Sequence, residues 1–238
     1  MCSVSPESID EFLKSRLNVD GEQNKTAIVL VGGPGSGKSS VKSNILGILG
    51  MGQSNFVNID PDEILTVLFR NDNSCRRNVN EINDISFERA ISENKNIIFD
   101  GTGKDFDYYQ TDVIKRLKKI GYVVNLCIVH NNVESAIFRV KKRAETHGRD
   151  VPVDYLQYVY TILEMNIPKY MGMDCDYADT IYLYDNSSEV LHLIYSTNCE
   201  DGSKHLKCVG NVCSSGGKRC RKSKKRCKKA KKKTRALR

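Results

Sequence analysis

The sequence is first informative for what it lacks. It has no apolar run approaching the ~18 residues that a membrane-spanning helix needs. Its N-terminus, MCSVSPESIDEFLKSRL, has no basic head with an apolar stretch behind it, and no glycine follows Met1. Neither a secretory leader nor a myristoyl anchor is expected. None of the nine cysteines forms a C-x2-C pair, which argues against a zinc frame. No N-K-x-D base-reading motif is present, so the GTPase class lacks its signature. Together these absences predict an intracellular protein whose cysteines are thiols by default.

What is present divides into two parts. Residues 201–238 hold 16 Lys and Arg against one Asp, while residues 1–200 hold 21 basic and 28 acidic residues. The net charge of +8 therefore combines an acidic body, 1–200, with a basic, cysteine-containing tail, 201–238. The tail has too few apolar residues to form a core and is expected to be disordered. Residues 218–238 are the candidate contact for nucleic acid. With no aromatic side chain for base stacking, such binding would be electrostatic and indifferent to sequence. The same run has the composition of a nuclear-localisation patch, so the location is cytoplasmic, or nuclear if the tail acts as that signal.

Apolar spacing predicts helices over 7–17, Lys38–Leu49, Pro61–Phe69, Val79–Glu93, 105–120, from Asn131 or Asn132 to Gly148, and Pro152–Tyr170. Strands are predicted at Ala27–Val31, in NFVNID ending at Asp60, in NIIFD ending at Asp100, in YVVNLCIV and in DTIYLYDN, with EVLHLIYS available as one more. Residues 71–78 read as a polar loop. This alternation predicts an α/β fold of the P-loop nucleoside-triphosphate hydrolase type. Its sheet is mainly parallel, of about five strands, with helices on both faces.

Between the first strand and the first long helix lies GGPGSGKS, Gly32–Ser39, which fits G-x-x-x-x-G-K-[ST] in the right context. Such a loop turns backbone N–H groups around phosphate oxygens at a helix N-terminus. The expected ATP-binding residues are Gly32, Gly33, Pro34, Gly35, Ser36, Gly37, Lys38, Ser39 and Ser40. Lys38 would reach the β- and γ-phosphates, and Ser39 would ligate Mg2+. At the end of the second strand, Asp60, Asp62 and Glu63 offer a carboxylate to take a proton from an attacking hydroxyl, though helix N-termini favour acids in any case. Asp100 and Thr102 end the third strand in a glycine turn and can contact substrate or hydrated Mg2+. Arg139, Arg143 and Arg149 cluster near a helix end, where cations can neutralise a transferring phosphoryl group. No glutamate stands beside Asp100 to polarise water as in motor ATPases, so a small-molecule kinase is the leading reading.

The order of GGPGSGKS, NIDPDEI, FDGTG, RAETHGRDVP and YLYDNS, over residues 25–190, resembles the zeta toxin-like P-loop kinases. The resemblance implies transfer of the γ-phosphate of ATP, with Mg2+, to a hydroxyl of a small molecule such as the nucleotide sugar UDP-N-acetylglucosamine. It makes Asp62 the catalytic base, with Lys38, Arg143 and Arg149 acting on the phosphates. Asp60, Asp100 and Thr102 would contact substrate, and Ser39 and Asp100 the metal. Asp100 stands where the toxins have glutamate. An antitoxin-like inhibitor is a further partner that such a family would bring. Two other readings stand beside this one: a polynucleotide or nucleoside kinase, and a nucleic-acid-binding structural protein with a vestigial kinase body.

Overall fold

The layering follows from the central strand. β1 (Thr26–Val31) is buried along its whole length, and successive side chains of a strand point to opposite faces of the sheet. Ala27, Val29 and Val31 join one apolar cluster, and Ile28 and Leu30 another. A strand covered on both faces reads as one continuous apolar run. The computed structural model describes residues 2–147, 151–188, 190–199 and 204–206.

The sheet has seven strands in the order β2-β3-β1-β4-β5-β6-β7. β2 (Val57–Ile59), β3 (Ile97–Gly101), β1, β4 (Val123–His130) and β5 (Thr180–Asp185) are mutually parallel. These are the five strands that the sequence predicts. β6 (His192–Asn198) and β7 (Lys204–Leu206) extend the sheet antiparallel. The sheet thus continues past residue 200, where the body was expected to end.

Eight helical segments accompany it among the described residues: α1 (Pro6–Leu17), α2 (Lys38–Leu49), α3 (Pro61–Phe69), α4 (Arg76–Ser92), α5 (Phe106–Tyr108), α6 (Arg116–Lys119), α7 (Val133–His147) and α8 (Val153–Met171). A π-helical stretch, Tyr109–Lys115, joins α5 to α6. Phe87 and Ala90 of α4, Leu117 of α6, and Val159 and Leu163 of α8 cover one face of the sheet, with Val113 of the π-helical stretch. Val41, Ile45 and Leu46 of α2 cover the other. No helix of the described residues is long and apolar enough to cross a membrane.

Three further findings differ from what the sequence predicts. The polar stretch 71–78 already contains the start of α4, preceded by a 3-10 turn at Asn73–Cys75 whose Ser74 N–H is accepted by the Asp72 carboxylate. Cys75, Val79 and Ile82 recur at helical spacing and pack on Phe12, Leu13, Ile64 and Leu65. The polar residues between them masked that stripe. The helix over 105–120 is interrupted by its π-helical stretch, a device often found beside functional sites. Finally, Cys2 is bonded to Cys75 and Cys175 to Cys199, correcting the expectation of thiols for these four. Packing brings each pair of Cα atoms to 5.2 and 5.7 Å, within bridging distance. Cys127 is a free buried thiol. Arg149 and residues 207–238, with the nucleic-acid contact expected of residues 218–238, lie outside the described residues.

Candidate active site

In a parallel sheet the functional loops gather beyond the carboxyl ends of the strands. Here the register sets which residues meet. β2 and β3 pair Ile59 with Phe99, so the next residues, Asp60 and Asp100, come side by side. β3 and β1 pair Asp100 with Leu30, just before the glycine loop. A cleft of about 1100 Å³ opens over these ends.

The glycine loop forms one wall. Gly35 and Gly37 have φ of +74° and +95°, and α2 starts immediately after Gly37. A Cβ on Gly35 would stand 2.7 Å from the Ala136 carbonyl, so these positions suit only glycine. Side chains elsewhere hold the loop in shape. Asn186 donates to the Ser36 carbonyl (2.7 Å), Asn131 to that of Gly35 (3.2 Å) and the Tyr160 hydroxyl to that of Pro34 (3.2 Å). Lys38 donates to the Gly32 carbonyl at 2.9 Å and lies 3.6 Å from the Asp100 carboxylate. The buried Ser36 hydroxyl has no hydrogen-bond partner among the described residues. The loop geometry, the lysine and this orphaned donor fit a phosphate chain.

Gly33, Pro34, Gly35, Ser36, Gly37, Lys38 and Ser39 line the cleft, as do Asp60, Asp62, Asp100, Thr102, Arg139 and Arg143. Gly32 sits beneath the loop and contributes its carbonyl to Lys38. Ser40 is exposed on the first turn of α2, outside the lining. Arg139 donates to the carbonyls of Asn186 and Ser188, tying α7 to the chain after β5. Glu63 turns away from the cleft, bound to Arg16 at 2.5 Å and to Asn58 at 3.0 Å. Of the acidic cluster, Glu63 is therefore the structural member.

Three carboxylates remain around the phosphate site. Burial pushes the Asp60 carboxyl up to about 6, helped by the negative charges of Asp100 and Asp62. Asp60 also caps α3 by accepting from the Asp62 N–H at 2.9 Å. Asp62 forms an ion pair with Arg76 at 2.9 Å. Hard oxygen donors crowded in this way, with Ser39 lining the same cleft, are a donor set that suits Mg2+. The turn after Asp100 is braced by α8, with Tyr170 donating to the Gly103 carbonyl (2.9 Å) and Asn166 to that of Lys104 (2.8 Å).

The far wall was not legible as a site. Arg76, Asn80, Asn83 and Asp84 of α4 line it, together with Lys104, Tyr108 and Tyr155. The α4 residues follow the helical spacing i, i+4, i+7, i+8, a polar stripe visible in the sequence once α4 is known to begin at Arg76.

A family model described as zeta toxin matches residues 9–197. The chain belongs to the zeta toxin family. This zeta toxin-family member is accordingly a P-loop kinase that uses ATP for phosphotransfer. No curated protein matches it. Among solved structures it is similar to a chain from the PezAT chromosomal toxin–antitoxin system of Streptococcus pneumoniae. That likeness covers 99% of this chain and 98% of the other, at 16% identity and a TM-score of 0.58. It is also similar to a chain of the AvrRxo1-ORF1:AvrRxo1-ORF2 complex with sulphate ions, over 84% of this chain and 67% of that one, at 16% identity and a TM-score of 0.64. At such identity the structural likeness establishes a shared fold.

Proposed function

We propose that this kinase moves the γ-phosphate of ATP to a hydroxyl of a small acceptor, with Asp62 as the general base. The observation that carries the reading is the position of Asp62 on the wall of the cleft that the glycine loop also lines, while the Asp60 carboxylate caps α3. The acceptor oxygen forms its bond to the γ-phosphorus as the bond to the β,γ-bridging oxygen breaks, and the hydroxyl proton passes to Asp62. Lys38 and Arg143 stabilise charge on the phosphoryl oxygens, with Arg149 assigned the same role by its place in the sequence. Ser39 and Asp100 would hold Mg2+, which supplies charge neutralisation when bound. Asp60 and Thr102, which line the same cleft, would orient the acceptor. A nucleotide sugar is the acceptor class that family membership favours. The toxin–antitoxin relative likewise favours an antitoxin-like inhibitory partner, whose signature is loss of ATP turnover when it binds.

The test is transfer of labelled γ-phosphate from ATP to UDP-N-acetylglucosamine, and to nucleosides and 5′-hydroxyl oligonucleotides for comparison. Asp62→Asn should keep ATP binding and lose ~10²–10⁴-fold in turnover. Lys38→Ala should abolish transfer in a folded protein. Undiminished turnover in Asp62→Asn would remove Asp62 as the base, and transfer to oligonucleotides alone would favour a polynucleotide kinase.

A further inference from the structure

The ion pair between Asp62 and Arg76 creates a difficulty for a base. A carboxylate held by a guanidinium must give up that pairing to take a proton, and charge-assisted pairs are about twice as strong as neutral hydrogen bonds. The pair is half exposed, each side chain being 43% accessible, so it is formed at the cleft surface and can be exchanged. Arg76 is the first residue of α4, and its Nε also donates to Asn73 at 3.3 Å. These contacts use two of the five donors that a guanidinium carries.

A second observation places a ligand against the same face. Asn83, two turns further along the stripe, is 6% exposed and lines the cleft, yet its Oδ1 has no hydrogen-bond partner among the described residues. A buried orphan acceptor of this kind is costly and suits a donor brought by a bound molecule. Asp84 beside it adds a carboxylate for further hydroxyl or amide donors.

We propose that Arg76 couples the base to the acceptor: it holds Asp62 while the acceptor site is empty, and moves to an anionic group of the acceptor when that molecule lies along α4. The inference rests on Asp62 being the base, and it narrows the acceptor to hydroxyl compounds that carry a phosphate or carboxylate. The same pairing would protect bound ATP from water. Without an acceptor, a water oxygen could attack the γ-phosphorus, expelling ADP and giving its proton to Asp62. The Arg76 pair withholds that carboxylate. Arg76 thus acts on the chemistry through Asp62 and on the acceptor by direct contact.

The decisive measurement is phosphate release from ATP and Mg2+ by the full chain with no acceptor present. Arg76→Gln should hydrolyse ATP roughly two- to fivefold faster than wild type, the factor that a half-exposed ion pair can withhold. Arg76→Lys, which keeps a cation beside Asp62, should restore the low rate. The gain should vanish in the Arg76→Gln, Asp62→Asn double variant. With UDP-N-acetylglucosamine as the probe acceptor, Arg76→Gln should raise KM more than it changes kcat. Thermal unfolding establishes that each variant is folded, and Arg76→Ala repeats the test if Arg76→Gln is not. Acceptor-free hydrolysis at or below the wild-type rate in a folded Arg76 variant overturns the coupling. If wild type still transfers phosphate in that case, the kinase assignment stands without it. If neither wild type nor any variant turns over ATP, both fail.

Discussion

Asp60 shows how one residue serves two demands. It must remain at the tip of β2 to cap α3, yet there it is buried beside Asp100 and Asp62. Folding raises its carboxyl from 3.8 to about 6, so over that range the folded chain keeps a proton that the unfolded chain releases. The stability this gives is fully present below about pH 4 and is lost as pH rises through 6. Asp60→Asn stays neutral and still caps a helix. Without nucleotide or metal it should be more stable than wild type at pH 8, by up to roughly 3 kcal/mol. That advantage should disappear near pH 4, and urea midpoints at the two pH values measure it. A gap of equal size at both would remove the charge explanation. The sequence made Asp60, Asp62 and Asp100 legible because each lies in or shortly after a strand end, and Lys38 because it belongs to the glycine-loop motif. It did not reveal Arg76 or Asn83, whose significance depends on where α4 begins and which face it turns to the cleft.

Elements were legible in proportion to their apolar regularity. β1, α2 and α3 follow from uninterrupted patterns bounded by glycine or proline, and α2 and α3 have the limits that the pattern gives. The first turn of α4 was hidden because only Cys75 just before it and Val79 and Ile82 among its early residues are apolar, and they face α1 and α3 rather than the sheet. The π-helical stretch has no local signature, since it differs from α-helix by hydrogen-bond register alone. The Cys2–Cys75 bridge was equally unreadable, because connectivity is set by packing between elements far apart in sequence. That bridge ties the segment before α1 to the turn before α4, next to Arg76. Breaking it by Cys2→Ser with Cys75→Ser should cost about 2–4 kcal/mol. Reductant should lower the melting temperature of wild type more than that of the double serine variant. An equal response would show that the bridge adds nothing to stability.

For the whole molecule, charge divides the chain near residue 200. The acidic body carries the cleft, and the last strand among the described residues is β7, Lys204–Leu206. We propose that the basic residues after it, 218–238 above all, bind DNA or RNA by charge alone, with affinity falling steeply between 50 and 200 mM salt. Removing residues 207–238 should abolish that binding and leave phosphotransfer to a small acceptor unchanged. Lost transfer in a folded truncated chain would instead make the tail part of the site.

The two bridges also determine what happens when the molecule is pulled rather than melted. They span 73 and 24 residues, and the first encloses α1, β1, the glycine loop, α2, β2 and α3. Tension applied through the chain ends passes from Cys2 directly to Cys75, so the enclosed strand and phosphate loop lie in a force shadow. The pulled molecule would come out shorter than its length allows, by about 250 Å for the first bridge and about 80 Å for the second. Thiol reagent would release that hidden length in two steps. A protease or unfoldase that engages either terminus meets the same obstacle, with the phosphate loop withheld inside a covalently closed loop of the chain.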